Sequence, residues 1–396
     1  MPSQDILQRL KLRPVINVAG TMTVIGASSA LPEVIDVVAD ILPRFVEIGA
    51  LQRAASKVIA KACGAEAGFV TASTSGAVTV SIAAAMTGID RAAIARLPDA
   101  NGLKSEVVVL QGHLVNYGAP IDQAIRLAGA TIVPVGQATA STEYELEAAF
   151  GDGTAAALYV VSHHAARYGM IPLSRFAEIA HAKGVPVIVD AAAEYDLRKF
   201  IAEGADLALY SAHKFLRAPT AGIVAGKRDL VRAAYLQNLG IGRGFKVGKE
   251  GIAGAIVALE NWAKADHAAT RAGERQLLDL WMATLGDHPG VTFSIVADPT
   301  GNPVDRVRID IDPRKAFTTA WAVTTTLAAG DPSVVVRSEE LEHGFFELDP
   351  CNLNADEAKI VADRIGGALR EALGKRANPA PYADWRSAQE NEIWDI

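Results

Sequence analysis

The stretch ADLALYSAHKFLRAPTAGIVAG, residues 205–226, places one lysine between two short apolar runs. Both runs are short, apolar and bounded by turn-forming residues, so each predicts a buried β-strand. Lys214 stands in the loop between them. Ligands of an open parallel sheet bind at the carboxyl ends of its strands, so a lysine directly after a strand is a candidate functional residue. The alternative is an ordinary lysine whose ammonium group reaches solvent.

Further short runs of branched and apolar residues surround this stretch. They are EVVVLQ (106–111), ATIVPVG (130–136), AALYVVS (156–162) and VPVIVDAA (185–192). Helical patterns separate several of the runs, as in PIDQAIRLAG (120–129) and LSRFAEIAHAKG (173–184). Apolar strands joined by helices predict an α/β fold with a mostly parallel sheet covered on both faces.

The pattern changes near residue 249. One helical run covers 249–286, which is longer than an ordinary helix and predicts a linker between domains. Three later strand patterns and the helix ADEAKIVADRIGGALREALG predict a smaller α+β domain. We therefore expect an N-terminal segment (1–50) that packs on the small domain or on a partner subunit, a large domain (51–248), and a linker helix with the small domain (249–396).

Charge and composition exclude several classes of function. The formal net charge of −7 offers no extended positive surface for nucleic acid. The opening MPSQDILQRLKLRP carries charges where a secretory signal needs an apolar run, and no apolar run approaches the roughly 18 residues of a membrane span. We expect a cytoplasmic protein. Cys63 and Cys351 lie far apart without a CxxC motif, so neither a disulfide framework nor a metal site is expected.

Two further polar sites follow strand patterns. Asp190 ends the apolar run VPVIVD, and the small polar residues of TASTSG (71–76) precede an apolar helix. Taken singly, each is explained by helix capping. Together with Lys214 they match the needs of a cofactor with a phosphate, a pyridine nitrogen and an aldehyde. A helix N-terminus binds the phosphate, a carboxylate stabilises the protonated nitrogen, and a lysine forms a Schiff base and then transfers protons.

The chain resembles the fold type I pyridoxal-phosphate enzymes, in the branch that contains selenocysteine synthase-like and D-glucosaminate-6-phosphate ammonia lyase-like proteins. Five segments carry this resemblance in order: GAEAGFVTASTSGA, GHLVNYGAPIDQAIRLAGA, VIVDAAAE, GADLALYSAHKFLRAPTAGIVAGKRDL and GRGFKVGKEGIAGAIVALE. The resemblance covers about residues 13–265. It implies a seven-stranded, mostly parallel sheet with a smaller C-terminal domain.

The resemblance also implies roles for individual residues. Lys214 would hold pyridoxal 5'-phosphate and Asp190 would pair with its ring nitrogen. His113 would stack on the ring and take part in catalysis, unless it is a loop histidine with local hydrogen bonds. The phosphate would be contacted by Ser75, Gly76, Ala77 and Ser211.

Substrate contacts are implied for residues around this centre. His163 or His164 would approach the cofactor or the substrate, or else cap a loop. Arg217 is a further substrate candidate. Arg243 lies in the cationic segment GRGFKVGKE, which would bind a substrate phosphate or the cofactor of a neighbouring subunit, or else form a solvated interdomain turn. Arg337 would grip the substrate carboxylate through its two-pronged guanidinium group, unless it is an exposed strand residue.

Two segments depart from the family pattern. Around the lysine the ammonia lyases resemble SGGKxxRGPQ, whereas this chain reads SAHKFLRAPT, so His213, Ala218 and Thr220 alter the pocket. His213 thereby becomes a candidate catalytic acid. The segment GQATASTEYE replaces a polar cluster of selenocysteine synthase, which disfavours selenium transfer onto tRNA.

The function that the resemblance favours is a lyase acting on a β-hydroxy amino acid or an amino sugar acid. It would remove the Cα proton and eliminate a β-substituent, giving a 2-oxo acid and ammonia. Reprotonation of the same carbon would instead make the protein a racemase or epimerase. A protein that keeps the fold without turnover would be a non-catalytic binding protein. We expect a homodimer or higher homo-oligomer without nucleic-acid or membrane partners.

Overall fold

The computed structural model describes residues 5–166, 168–376 and 380–392. The chain divides into two compact units, one of residues 29–265 and one that joins residues up to 28 with those from 266 onward. The predicted division at 1–50, 51–248 and 249–396 stays a prediction. No helix in the described ranges is both long enough and apolar enough to cross a membrane.

The elements are numbered in chain order. The strands are β1 Val15–Val18, β2 Ala67–Thr71, β3 Glu106–Leu110, β4 Thr131–Val135, β5 Thr154–Val160, β6 Val187–Asp190, β7 Leu207–Ser211, β8 Gly222–Gly226, β9 Val291–Val296, β10 Arg306–Ile311, β11 Ser333–Val336 and β12 Phe345–Leu348. The α-helices are α1 Ile6–Leu10, α2 Pro32–Ile41, α3 Ile48–Cys63, α4 Thr74–Thr87, α5 Arg91–Arg96, α6 Ile121–Arg126, α7 Glu143–Ala149, α8 Leu173–Ala182, α9 Lys199–Ala202, α10 Arg228–Leu236, α11 Lys249–Trp262, α12 His267–Leu285, α13 Pro313–Ala316, α14 Ala320–Ala329, α15 Ala355–Lys375 and α16 Tyr382–Glu392. Short 3₁₀ helices cover Thr23–Ile25, Gln111–His113, Gln237–Leu239, Ile241–Phe245 and Leu341–His343.

The large unit is built on a seven-stranded sheet in the order β2-β8-β7-β6-β5-β3-β4. All strands run in one direction except β8, which is antiparallel to both β2 and β7. Strands β6, β7 and β8 are buried along their whole length, because apolar clusters cover both faces of the sheet. The predicted α/β architecture is confirmed.

The strand directions bring several loops to one edge of the sheet. The carboxyl ends of β2, β3, β5, β6 and β7 lie at this edge, and β8 begins there. A Cβ atom on Gly222, the first residue of β8, would clash with the carbonyl of Ser73. Glycine at 222 therefore lets β8 approach the start of α4 closely.

The small unit contains two sheets of its own. Strand β10 lies between β12 and β9 and is antiparallel to both, and β1 pairs with β11 in parallel. The pairing of β1 ties the N-terminal segment to this unit. Its core includes the buried side chains of Trp281 and Phe346, and the Trp281 indole donates a hydrogen bond to the carbonyl of Ala358.

The stretch predicted as one long helix, 249–286, forms two helices. Helix α11 ends at Trp262 and α12 begins at His267. The side chain of Asp266 accepts a hydrogen bond from the N–H of Ala269, which caps the new helix at its N-terminus. The helical pattern of the sequence continues through this break, so the sequence did not identify Asp266 as a capping residue.

Candidate active site

Asp190 ends β6 at the carboxyl edge of the sheet. It is 7% exposed, and one carboxylate oxygen accepts a hydrogen bond from the N–H of Ala192 at 3.1 Å. Burial raises the pKa of Asp190 to about 6, while the positive charge of Lys214 and the Ala192 hydrogen bond oppose the rise. Asp190 and Lys214, which the sequence predicts to act together, therefore lie within electrostatic range of each other.

Lys214 lies in the tight turn that follows β7, and its side chain is half-buried. Its N–H donates to the carbonyl of Ser211 at 3.4 Å, and its own carbonyl accepts from the N–H of Arg217 at 3.0 Å. Arg217 has a φ of +58°, a left-handed conformation that costs energy for a residue with a side chain. This turn keeps the lysine close to the strand end.

His213 and Ser211 are joined beside Lys214. The Ser211 hydroxyl and His213 Nδ1 are 2.9 Å apart, and both residues are buried. Burial lowers the pKa of His213, and the charge of Lys214 lowers it further. His213 is therefore neutral at pH 7. The predicted phosphate contact of Ser211 and the catalytic role of His213 stay predictions.

His113 ends the 3₁₀ helix after β3 and is 2% exposed. Its Nδ1 accepts a hydrogen bond from the N–H of Val160 at 3.3 Å, so the ring hydrogen is on Nε2. The ring meets Tyr159 edge-on, with 4.4 Å between ring centroids. Burial lowers the pKa of His113 to about 4. Because Val160 is the sheet neighbour of Asp190, His113 is bonded to the strand next to the one that ends in that carboxylate.

The first turn of α4 presents hydrogen-bond donors for which the described residues provide no acceptor. Ser73 caps the helix, since its Oγ accepts from the N–H of Gly76 at 3.1 Å and its carbonyl accepts from the N–H of Ala77 at 2.9 Å. Within the described ranges, the backbone N–H groups of Thr74 and Ser75 donate no hydrogen bond, and the buried Thr74 Oγ1 has no partner. Thr74 is 8% exposed. Such a turn attracts an anion.

Sequence reasoning missed one residue at this helix start. Tyr117 donates a hydrogen bond from its hydroxyl to Ser75 Oγ at 3.1 Å. The unpartnered hydroxyl belongs to Thr74, which lies in the predicted segment TASTSG but was not among the residues expected to contact the phosphate. The available signal was the position of Tyr117 in the loop directly after β3. Loops at the carboxyl edge carry ligand-binding residues, but nothing in the local sequence indicates which side chain reaches α4.

His163 and His164 follow β5 at the same edge of the sheet. Their rings are 3.8 Å apart between centroids, and the N–H of His164 donates to the Ser162 hydroxyl at 3.2 Å. The second contact is made by the backbone of His164, so loop capping by either side chain stays a prediction. A contact of either ring with a ligand stays a prediction.

Arg217 and Arg243, the two arginines predicted to contact the substrate in the large unit, have different surroundings. Arg217 Nε donates to the carbonyl of Ser29 at 2.7 Å, so this nitrogen fastens a neighbouring segment. Arg243 is exposed in the 3₁₀ helix that ends at Phe245. A Cβ atom on Gly76 would lie 2.9 Å from the Phe245 ring, which shows how closely this segment packs on the start of α4. Arg243 is thereby placed two residues from that contact.

Arg337 belongs to the small unit. Its Nε lies 3.4 Å from a carboxylate oxygen of Glu339 and 3.5 Å from one of Glu347. Its side chain is 13% exposed, so the alternative of an exposed strand arginine is wrong. The carboxylates of Glu339 and Glu347, which belong to the same unit, therefore already form ion pairs with the Arg337 guanidinium group. The substrate-carboxylate contact stays a prediction.

The chain was compared with known proteins. The family model described as SelA, L-seryl-tRNA selenium transferase, matches residues 52–285. The chain is 38% identical to D-glucosaminate-6-phosphate ammonia lyase of Salmonella typhimurium strain 14028s, over 91% of this chain and 97% of that protein. It is 33% identical to 5'-C-glycyluridine monooxygenase-decarboxylase of a Streptomyces species, over 93% and 92%.

Solved structures agree with these relatives. A D-glucosaminate-6-phosphate ammonia-lyase structure matches with a TM-score of 0.83 and 37% identity, covering 94% of this chain and all of that one. Ureidoglycine-glyoxylate aminotransferase of Bacillus subtilis, 10% identical with a TM-score of 0.60, shares the fold alone. The predicted fold type I architecture is confirmed. The chain belongs to the SelA family of enzymes.

Proposed function

We propose that this protein is a pyridoxal-phosphate-dependent ammonia lyase that acts on an amino sugar acid or a β-hydroxy amino acid. The observation that carries the proposal is the 38% identity to an ammonia lyase over 91% of this chain and 97% of the relative. Asp190 and Lys214, at the ends of neighbouring strands, provide groups that this chemistry requires.

The residues at the sheet edge fit pyridoxal 5'-phosphate. The unused N–H groups of Thr74 and Ser75 and the unpartnered Thr74 hydroxyl suit its phosphate. The buried carboxylate of Asp190 suits its ring nitrogen, and the Lys214 amine suits its aldehyde. Gly76 and Ala77 already donate to Ser73, so the proposal assigns them a smaller part in phosphate binding. When bound, the cofactor supplies an electron sink for the bond broken at the substrate Cα.

The chain's own residues then have defined tasks. Asp190, ionised beside the charge of Lys214, holds a proton on the ring nitrogen. Lys214 Nζ would be the group that takes the Cα proton of the substrate. The neutral His113 offers a flat apolar face. The loss of the Cα proton and of the β-hydroxyl releases one water, and hydrolysis of the C–N bond consumes one, so the products are a 2-oxo acid and ammonia.

The second relative favours one other candidate function. By its name that relative is a monooxygenase-decarboxylase acting on 5'-C-glycyluridine. The same site would then remove a carboxylate in the presence of O₂. Cleavage of the bond between Cα and the carboxylate and loss of the Cα proton are alternative reactions at the same carbon. Measuring O₂ uptake and CO₂ release therefore distinguishes the two functions. Cytoplasmic location and a homo-oligomer without nucleic-acid partners remain part of the proposal.

The test uses purified protein loaded with pyridoxal 5'-phosphate. We expect a visible absorbance band that borohydride removes, and release of ammonia and a 2-oxo acid from members of a panel of β-hydroxy amino acids and 2-amino sugar acids, each with and without a terminal phosphate. Lys214→Ala should abolish both the reducible band and the turnover, because the variant lacks the amine that binds the aldehyde. The exposed Lys57→Ala is the matched control and should retain both.

Other outcomes select the alternatives. Deuterium entering Cα without ammonia release would indicate a racemase or epimerase. Uptake of O₂ with release of CO₂ would favour the monooxygenase-decarboxylase chemistry. A reducible cofactor without any exchange at Cα across the panel would indicate a binding protein without turnover.

A further inference from the structure

Tyr117 lies in the loop after β3 and contacts the start of α4, which is distant from it in sequence. Its hydroxyl is 3.1 Å from Ser75 Oγ, and the two residues are 42 positions apart. The loop is closed by an isolated bridge between Asn116 and Pro120, and the N–H of Tyr117 donates to the carbonyl of Ala119 at 3.2 Å. The loop backbone therefore holds Tyr117 in place.

The phenol of Tyr117 is a hydrogen-bond donor at neutral pH. Burial raises the pKa of Tyr117, the Ser75 hydrogen bond opposes this, and the negative charges of Asp190 and Asp122 raise the pKa further. The hydroxyl thus keeps its proton. The effect of Asp190 also places Tyr117 within electrostatic range of the buried carboxylate.

The hydrogen bond determines how Ser75 can use its hydroxyl. A serine hydroxyl has one hydrogen to donate and can accept two hydrogen bonds. Because Tyr117 donates to Ser75 Oγ, the hydrogen of Ser75 remains available for another acceptor, and the incoming bond polarises it. The neighbouring N–H groups of Thr74 and Ser75 and the buried Thr74 hydroxyl are likewise without acceptors in the described ranges.

We propose that Tyr117 is a positioning residue of the phosphate site: its hydroxyl orients the Ser75 hydroxyl so that Ser75 donates to the cofactor phosphate. This inference rests on the proposed function, since it requires that the first turn of α4 binds a phosphate group. It assigns to Tyr117 a part in selecting the phosphorylated cofactor over its unphosphorylated form.

The experiment measures binding to the full-length apoprotein by absorbance titration with two probes, pyridoxal 5'-phosphate and pyridoxal. Tyr117→Phe keeps the ring and removes the hydroxyl. We expect its Kd for pyridoxal 5'-phosphate to rise about five- to tenfold, the usual effect of one hydrogen bond, with the Kd for pyridoxal unchanged. Ser75→Ala should cause at least the same rise, and adding Tyr117→Phe to it should change nothing more.

Tyr144→Phe, at an exposed position of helix α7, is the control and should bind both probes as the wild type does. Thermal unfolding of each variant reports on folding. Equal binding of pyridoxal 5'-phosphate by Tyr117→Phe and wild type overturns the inference, as does equal weakening of both probes or a further loss in the Ser75→Ala background. If the wild type binds neither probe, the proposed function fails as well, so the two failures are distinguishable.

Discussion

His113 is held neutral by its surroundings. Its ring is buried against Tyr159, and its Nδ1 is occupied by the N–H of Val160. The folded protein therefore resists protonation of this ring, whereas the unfolded chain titrates near the ordinary value. Protonation would charge a buried ring and break the Val160 hydrogen bond together.

This difference predicts a pH dependence of stability. The folded pKa of about 4 lies below the unfolded value of 6.5, so the unfolded chain binds a proton first as the pH falls. Stability is then full above about pH 6.5 and is lost toward pH 4, by an amount on the order of 3 kcal/mol. In urea unfolding at pH 7.5 and 4.5, His113→Gln should lose clearly less stability than the wild type over this interval. The exposed His343→Gln is the control, and a slope in His113→Gln equal to that of the wild type would contradict the assignment.

Residue by residue, the sequence identified groups whose chemistry is distinctive at a strand end. A lone lysine or aspartate after an apolar run is conspicuous, so Lys214 and Asp190 could be predicted to act together. Tyr117 was not singled out, and Thr74 was noted only as one of the small polar residues of TASTSG, because a hydroxyl is common in loops. The Thr74 hydroxyl becomes informative because it has no partner among the described residues, and the Tyr117 hydroxyl because its partner is distant in sequence. Both facts can be read only from the folded chain.

At the scale of elements, the amino edge of the sheet is fastened by Asp206. One oxygen of this buried carboxylate accepts from the N–H of Val187 at 2.6 Å and lies 2.8 Å from His181 Nε2, and the other lies 2.5 Å from Lys227 Nζ. Burial alone would raise the pKa of Asp206, but the hydrogen bonds of Lys227, Val187 and His181 hold it below its usual value. The contacts join the starts of β6 and β7 to the end of β8.

Asp206→Asn should lower the thermal stability of the protein at pH 7, on the order of 1–3 kcal/mol, because the amide loses the ion pairs and one strong acceptor. The folded pKa is below the unfolded value, so this contribution is present above about pH 4 and disappears as the pH falls further. Calorimetry at pH 7 and at about pH 3 should show the gap between wild type and variant closing. Glu143→Gln, which breaks an exposed ion pair with Arg175, should show almost no gap at either pH.

At the scale of the whole molecule, one surface of the large unit exposes apolar side chains in a short segment. Ile35 is 56% exposed, Leu42 is 50% exposed and Phe45 is fully exposed. Exposed apolar patches are costly in water and are typical of surfaces that a partner covers. In the predicted homo-oligomer, a second copy of the chain would cover these side chains.

Sedimentation velocity tests this prediction. The wild type should sediment as a dimer or larger, and Phe45→Glu should shift it toward the monomer, because the new charge would be buried without a partner. Tyr144→Glu places the same charge at an exposed aromatic position outside this segment and should leave assembly unchanged. A monomeric wild type, or a Phe45→Glu variant that assembles normally, would contradict the prediction.

Local sequence patterns were enough to predict the alternation of strands and helices, the parallel sheet, and the lysine and aspartate at its carboxyl edge. The spacing of apolar residues and the positions of turn residues are features of a few neighbouring positions, so they can be read from the sequence. Folding in three dimensions decided the rest: the pairing of β1 with β11, the contact of His113 with Val160 across 47 positions, and that of Tyr117 with Ser75 across 42. These contacts depend on which strands become neighbours. Strand order is chosen by the packing of the whole sheet, so no short segment encodes it.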